Sequence, residues 1–182
     1  MTLCIDSAEV TSRWKRFKKT FGPITPNGRV EAFVTPTATQ VVAGLGRDRY
    51  ARELRQLRHP CRVPNIFINY FEIWQGHTQP QQFVLDKAYF HLDTPLGDGR
   101  ASEEILAIHC DALAKGGEVA FSYKRGPHLH VSGNKRDISK AHIALCLSDL
   151  DRTCSDIDAY WSAFSGIVKM IGDEILPQLA KA

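Results

Sequence analysis

The chain has no apolar run long enough to cross a bilayer, which takes about 20 residues. Its first residues also lack the basic and apolar segments of a secretory signal peptide. The five cysteines are odd in number and without framework spacing, which favours free thiols over disulfides. There is no internal repeat and no low-complexity segment. These absences argue against a membrane-spanning or disulfide-stapled protein, and we expect a cytoplasmic one.

Length and composition are those of one folded domain. The 182 residues are 43% hydrophobic and 24% charged, which is ordinary for a globular protein. We predict a single α+β domain over 1–182 with a mostly antiparallel sheet in 63–147. A basic helix/hairpin/helix portion (1–62) and a long amphipathic C-terminal helix (155–181) would flank this sheet.

The basic portion begins with a predicted helix. Val10, Trp14 and Phe17 follow helical spacing and are expected in the core, with Arg13 among the outward-facing cations. Residues 30–34 and 39–43 alternate as a β-hairpin, and 47–58 suit a second basic helix.

Strand patterns dominate the middle of the chain. Residues 64–74, 83–93 and 117–124 alternate as strands, whereas 102–113 fits either a strand or a short helix. The C-terminal helix carries apolar residues at helical spacing over six turns, a stripe that suits packing on the sheet. The same stripe could instead seal a homodimer or bind a partner protein.

Charge is distributed unevenly along the chain. Residues 1–68 hold 12 Lys and Arg against 5 Asp and Glu, whereas the net charge of the whole chain is only +3. A basic half favours a polyanionic partner, and RNA or DNA would bind through 13–19 and 47–58. A solvated basic surface without function is the alternative explanation.

Histidines provide the strongest functional signal. Residues at i and i+2 of a strand share a face, so His128 and His130 would project together, with Ser132 beside them. A second alternating run places His142 and Cys146 on one face. If both strands turn their aliphatic residues to the core, three imidazoles meet on the opposite face.

A metal site is one chemistry for this cluster. His128, His130 and His142 would form a facial ligand set for zinc or iron, with Cys146, His91, His109 or Asp137 as further candidates. The His-x-His resembles the metal motif of the cupin family. The glutamate expected a few residues later is absent, because Gly133-Asn134-Lys135 occupies that region.

Acid–base catalysis on a phosphodiester or nucleotide is the leading hypothesis. Imidazoles titrate near neutral pH, so His128, His130 and His142 could move protons at the reacting oxygens. Binding of the substrate is assigned to nearby cationic and hydroxyl side chains: Lys124, Arg125, Arg136, Tyr123 and Ser132.

The spacing Arg136-(five residues)-His142 resembles the Arg-x4–6-His motif of the HEPN ribonucleases. That family is all-helical, whereas His142 begins a predicted strand. The small size of the chain, its basic half and its histidine cluster suggest a small toxin- or defence-type ribonuclease.

Two further hypotheses stay open. A thiolate–imidazole pair would form if Cys110 met His109 or if Cys146 met His142. A non-enzymatic adaptor would use the basic half for nucleic acid and the C-terminal helix for a protein partner.

Overall fold

The computed structural model describes 3–37, 39–46, 54, 57–77, 81–97, 101–112, 126–132, 140–145 and 147–181. At 101, 131, 132, 140–142 and 147 it describes the backbone alone. The predicted α+β class is confirmed, since nine antiparallel-paired strands within these ranges form one sheet with helices before and after it.

The strands and helices have the following bounds: β1 Cys4–Asp6, α1 Ser7–Phe21, β2 Ala32–Pro36, β3 Gln40–Leu45, β4 His59–Pro60, β5 Phe67–Gly76, β6 Gln82–Leu96, β7 Ala101–Cys110, β8 His128–Ser132, β9 Lys140–Ala144, α2 Leu150–Thr153, α3 Ile157–Met170 and α4 Leu176–Leu179. A π-helical turn, Ile171–Ile175, joins α3 to α4. None of the helices in the described ranges is both long and apolar enough to span a bilayer.

The sheet is a meander with the order β2-β3-β5-β6-β7-β8-β9. Two short strands pair outside this path, β1 with β6 and β4 with β5. The predicted hairpin is confirmed as β2 and β3, and the ambiguous residues 101–110 form strand β7. The predicted helix 47–58 and strand 117–124 lie largely outside the described residues.

One sheet face is covered by α1 and α3 and holds the main core. Tyr70 and Phe90 of the sheet meet Phe17 and Phe21 of α1 and Phe164 of α3, with ring centroids 4.8–6.5 Å apart. Burial of such aromatic side chains contributes roughly 1.5–3 kcal/mol each. This packing anchors both helices to the central strands.

The buried stripe of α1 differs from the predicted one. Trp14 is 46% exposed, whereas Arg13 has no exposed surface. Arg13 Nη2 and Nε donate to Glu72 of β5 at 2.5 and 2.9 Å. A helical period of 3.6 lets either residue 13 or residue 14 face the sheet between Val10 and Phe17, and the buried carboxylate of Glu72 stabilises Arg13 there.

The C-terminal helix packs on its own sheet. Its helical region begins at Ile157 rather than Ser155, because the Asp156 carboxylate caps it by accepting from the Asp158 and Ala159 N–H groups. The apolar stripe is buried within the domain: Tyr160, Trp161, Phe164, Ile167, Val168, Ile171 and Leu176. A homodimer or partner contact through this helix would therefore use its remaining, more polar faces.

Candidate functional site: a row of histidines on one sheet face

The sheet face opposite α1 and α3 carries four aligned histidines. In the register, His109 of β7 lies beside Tyr89 of β6 on one side and beside His128 of β8 on the other. His91 lies two residues after Tyr89 in β6, and His130 lies two residues after His128 in β8. Both pair with Ala107 of β7. Strand alternation therefore places all four imidazoles on one face, which we call the histidine row.

The rings of the histidine row are in mutual contact around His109. His109 stacks on Tyr89 at 4.1 Å between centroids and on His130 at 4.9 Å. The ring centroids of His91 and His128 lie 5.2 and 6.1 Å from that of His109. His130 is partly exposed, whereas the other three histidines are buried, so the row meets solvent at His130.

His91 is oriented by a carboxylate. Its Nδ1 lies 2.7 Å from Glu104 Oε2. The hydrogen bond from His91 lowers the pKa of Glu104 although burial opposes the shift, so this carboxylate is ionised at neutral pH. An ionised carboxylate only accepts hydrogen bonds, so Nδ1 is the donor, and Nε2 carries the lone pair of neutral His91. This is a base held in place by a second group.

His128 is fixed in a similar way by the backbone. Its Nδ1 lies 3.0 Å from the Gly126 carbonyl oxygen, which can only accept. Its Nε2 lies 3.9 Å from Asp111 Oδ2, while Asp111 Oδ1 accepts from the Tyr89 hydroxyl at 2.6 Å. When His128 is protonated, the Asp111 carboxylate therefore lies close enough to stabilise the charge.

His109 is the neutral centre of the row. Burial, followed by the neighbouring His91, His130 and His128, lowers its pKa from 6.5 to about 3. At neutral pH it therefore carries one ring proton and one lone pair, and it does not repel positive charge on its neighbours.

The row presents buried imidazole nitrogens that have no hydrogen-bond partner among the described residues. Within the described residues, Nε2 of His91 and Nε2 of His109 are buried and make no hydrogen bond. An unsatisfied buried polar group costs about 1–3 kcal/mol. A bound substrate that supplied hydrogen-bonding groups would recover this energy, which favours a ligand-binding role for this face.

The structure brings together two of the three predicted histidines. His128 and His130 share the row as expected, and the backbone of His142 in β9 lies directly opposite His130. The side chains of His142 and Ser132 are not among those described. The other predicted substrate-binding residues lie outside the described residues altogether: Tyr123, Lys124, Arg125 and Arg136. In β9, Ile143 is 53% exposed rather than buried as expected.

The predicted Cys110–His109 pair is wrong. Neighbouring residues of a strand point to opposite faces, and Cys110 is buried in the core beneath the helices while His109 faces the row. Cys146 lies outside the described residues. None of the four described cysteines forms a disulfide. Where side chains are described, no group of three or more His, Cys, Asp or Glu is arranged to hold a metal ion.

A β-bulge in β7 explains why the sequence pattern does not predict Glu104 as a partner of His91. Opposite β6, the register changes from Leu92↔Leu106 to Asp93↔Glu104, which leaves Ile105 as an extra residue. Regular alternation would place Glu104 on the same face as Leu106, among core residues. The bulge turns it towards His91 instead, and no turn residue or charge pattern in the sequence marks this position.

In segment 13–19, which the sequence predicts to bind nucleic acid, two of the cationic side chains form ion pairs with carboxylates of the same chain. Arg13 is buried on Glu72, and Arg16 bonds Glu9 at 2.7 Å and Asp158 at 2.9 Å. Lys15, Lys18 and Lys19 remain exposed. This surface therefore presents fewer uncompensated cations than the sequence predicts.

Comparison with known proteins finds no matching protein family, no similar curated protein and no similar solved structure. Function is therefore inferred from the residues themselves.

Proposed function

We propose that this chain is a hydrolase that uses the histidine row for metal-free acid–base catalysis on a phosphodiester or nucleotide. The observation that carries the proposal is the Glu104–His91 pair, in which Nδ1 is held at 2.7 Å and the buried Nε2 has no partner among the described residues. A nucleophile-activating base needs this combination of fixed orientation and an available lone pair.

In the proposed reaction His91 acts as the general base. Its Nε2 removes the proton of the attacking water or ribose hydroxyl, and the ionised Glu104 stabilises the imidazolium that forms. The attacking oxygen forms a bond to phosphorus as the bond to the leaving oxygen breaks.

His128 is assigned the complementary role of general acid. In its protonated form the Nε2–H donates to the leaving oxygen, and Asp111 balances the charge before transfer. His109 lies between the two and remains neutral, so its ring N–H can bind a phosphate oxygen. His130 and His142 would contact substrate where the row meets solvent, and Ser132, Tyr123, Lys124, Arg125 and Arg136 are proposed to hold phosphate oxygens.

A cleavage assay on single-stranded RNA tests the proposal. Wild-type protein in EDTA is compared with His91→Gln, Glu104→Gln and the control His59→Gln. His59 is outside the histidine row, and among the described residues its Nε2 hydrogen-bonds only the Arg29 carbonyl. We expect His91→Gln to lower kcat by about 10²–10⁴-fold, the usual contribution of a general base, with circular dichroism unchanged. The control should retain activity.

Three outcomes would overturn the proposal. They are full activity in His91→Gln, activity abolished by EDTA and restored by zinc or iron, and RNA binding without turnover. The last outcome would support the adaptor hypothesis and the second a metal centre.

A further inference from the structure

We infer that the groove between α1 and α3, on the sheet face opposite the histidine row, binds a small phosphorylated compound with an aromatic body. The inference does not depend on the proposed hydrolase. Two cavities of about 370 and 310 Å³ adjoin there and share Lys19, Thr20 and Ser165. Cavities of roughly 300 Å³ and above are typical of small-molecule sites.

The smaller cavity carries uncompensated positive charge. Lys19 and Arg62 both line it, and neither has a carboxylate within ion-pair distance among the described residues. The other cations of the groove, Arg16 and Lys169, are already paired with Asp158 and Asp173. A ligand group with negative charge is therefore favoured beside Lys19 and Arg62.

The hydroxyl groups between the two cavities suit a phosphate. Thr20 Oγ1 and Ser165 Oγ lie 3.0 Å apart, and a single hydroxyl hydrogen satisfies that bond. The second hydrogen is left to donate to a ligand oxygen. Two cationic side chains and one hydroxyl give three donor groups. A carboxylate has only two oxygens to accept from them, whereas a phosphomonoester has three terminal oxygens, one for each donor group.

The larger cavity offers room for an aromatic ring. Trp161 forms part of its wall, and the buried indole N–H of Trp161 has no hydrogen-bond partner among the described residues. The smaller cavity has Ile24 and Val168 in its lining. A mononucleotide combines a phosphate for one cavity with a flat ring for the other.

The π-helical turn is a second feature of this groove. Its Gly172 and Asp173 line the smaller cavity, and the Gly172 carbonyl accepts from Arg62, which also donates to the Pro23 carbonyl at 3.2 Å. Turns of this type are rare and are found frequently at functional sites. Here the turn sets the position of the Arg62 guanidinium at the edge of the cavity.

Calorimetric titration with AMP, adenosine, inorganic phosphate and benzoate tests the inference. We expect AMP to bind with a Kd below about 1 mM, and to bind at least about tenfold more tightly than phosphate or adenosine alone. Lys19→Glu should weaken AMP binding at least about tenfold. The matched control is Lys15→Glu, the same charge change on the same helix outside the groove, and it should change the Kd less than about twofold.

Each contrary result has a distinct meaning. Equal weakening by Lys19→Glu and Lys15→Glu would show diffuse electrostatic attraction and overturn the site, as would no heat of binding at millimolar AMP. Loss of AMP binding in His91→Gln but not in Lys19→Glu would place AMP on the histidine row instead. Benzoate binding as tight as AMP would overturn the phosphate assignment. Unchanged thermal unfolding of Lys19→Glu confirms that the variant is folded.

Discussion

Arg13 and Glu72 form an ion pair from which water is excluded, since neither side chain has any exposed surface. The Glu72 carboxylate also accepts from the Tyr70 hydroxyl at 2.5 Å and from the Trp74 indole at 2.9 Å. The Arg13 guanidinium lies 4.6 Å from the Trp161 ring centroid. Burial alone lowers the pKa of Arg13, but the charge and hydrogen bonds of Glu72 outweigh it and raise that pKa. The pair links α1, β5 and α3.

Glu72→Gln should destabilise the protein by about 3–5 kcal/mol, because it leaves the Arg13 charge buried without a counterion. Urea denaturation measures the change in the free energy of unfolding. The control is Lys169→Met, which removes an exposed pair with Asp173 and should cost less than about 1 kcal/mol. Similar costs for the two variants would show that the buried pair has no special role.

Stability should fall in mild acid because of His109. Its pKa is about 3 when folded and 6.5 ordinarily, so the unfolded chain binds the proton more readily. The contribution of His109 to stability is complete above pH 6.5 and is lost as the pH falls towards 3. The slope for one such group reaches about 1.4 kcal/mol per pH unit.

Denaturation at several pH values compares wild type with His109→Asn, which cannot titrate. Between pH 6 and 4 the free energy of unfolding should fall less steeply with pH in the variant than in wild type. The difference in slope should be at most that of one titrating proton, about 1.4 kcal/mol per pH unit. Parallel slopes in wild type and His109→Asn would contradict the neutral state of His109.

Two glycines of the C-terminal helical region should respond oppositely to alanine. Among the described residues a Cβ at Gly166 meets nothing within 4 Å, so Gly166→Ala should stabilise by about 0.5–1 kcal/mol. At Gly172 the Cβ would lie 2.8 Å from Ile24 Cγ2, so Gly172→Ala should destabilise. Thermal unfolding ranks the two against wild type, and a Gly172→Ala as stable as Gly166→Ala would refute the close contact.

The His91 and Glu104 substitutions should not be additive in activity. If Glu104 acts only through His91, His91→Gln/Glu104→Gln will lose no more kcat than His91→Gln alone. Single-turnover cleavage rates of the four proteins give the coupling. If the fold-loss of kcat in the double variant equals the product of the two single fold-losses, Glu104 acts independently of His91 and the proposed role of Glu104 is wrong.

Period-two alternation was sufficient to predict the hairpin β2–β3, the long strands β5 and β6 and part of the row, whereas it left β7 undecided between strand and helix. His128 and His130 share a face because strand geometry alone decides it, and the paired strands β8 and β9 follow from the same pattern. Alternation likewise places His91 on the face opposite Phe90 and Leu92, which are both fully buried on the helix side.

Long-range partners could not be predicted from the pattern. Arg13 is buried only because Glu72, 59 residues away, supplies its counterion, so hydrophobicity wrongly selected Trp14. Glu104 reaches His91 only because one residue is inserted in β7, which reverses the face of every residue before it. Neither event leaves a local signal in the sequence.

The position of the row in the sheet has a consequence for local opening. Among the described strands, β9 is at one edge of the sheet with β8 beside it, and each has five residues, whereas β5 and β6 are central and have 10 and 15 residues. Short strands at or next to an edge open at a lower free energy than long central ones. Amide protons of β8 should therefore exchange with deuterium before those of β6. The two ends of the row then belong to different cooperative units, with His91 on the slow one and His128 and His130 on the fast one.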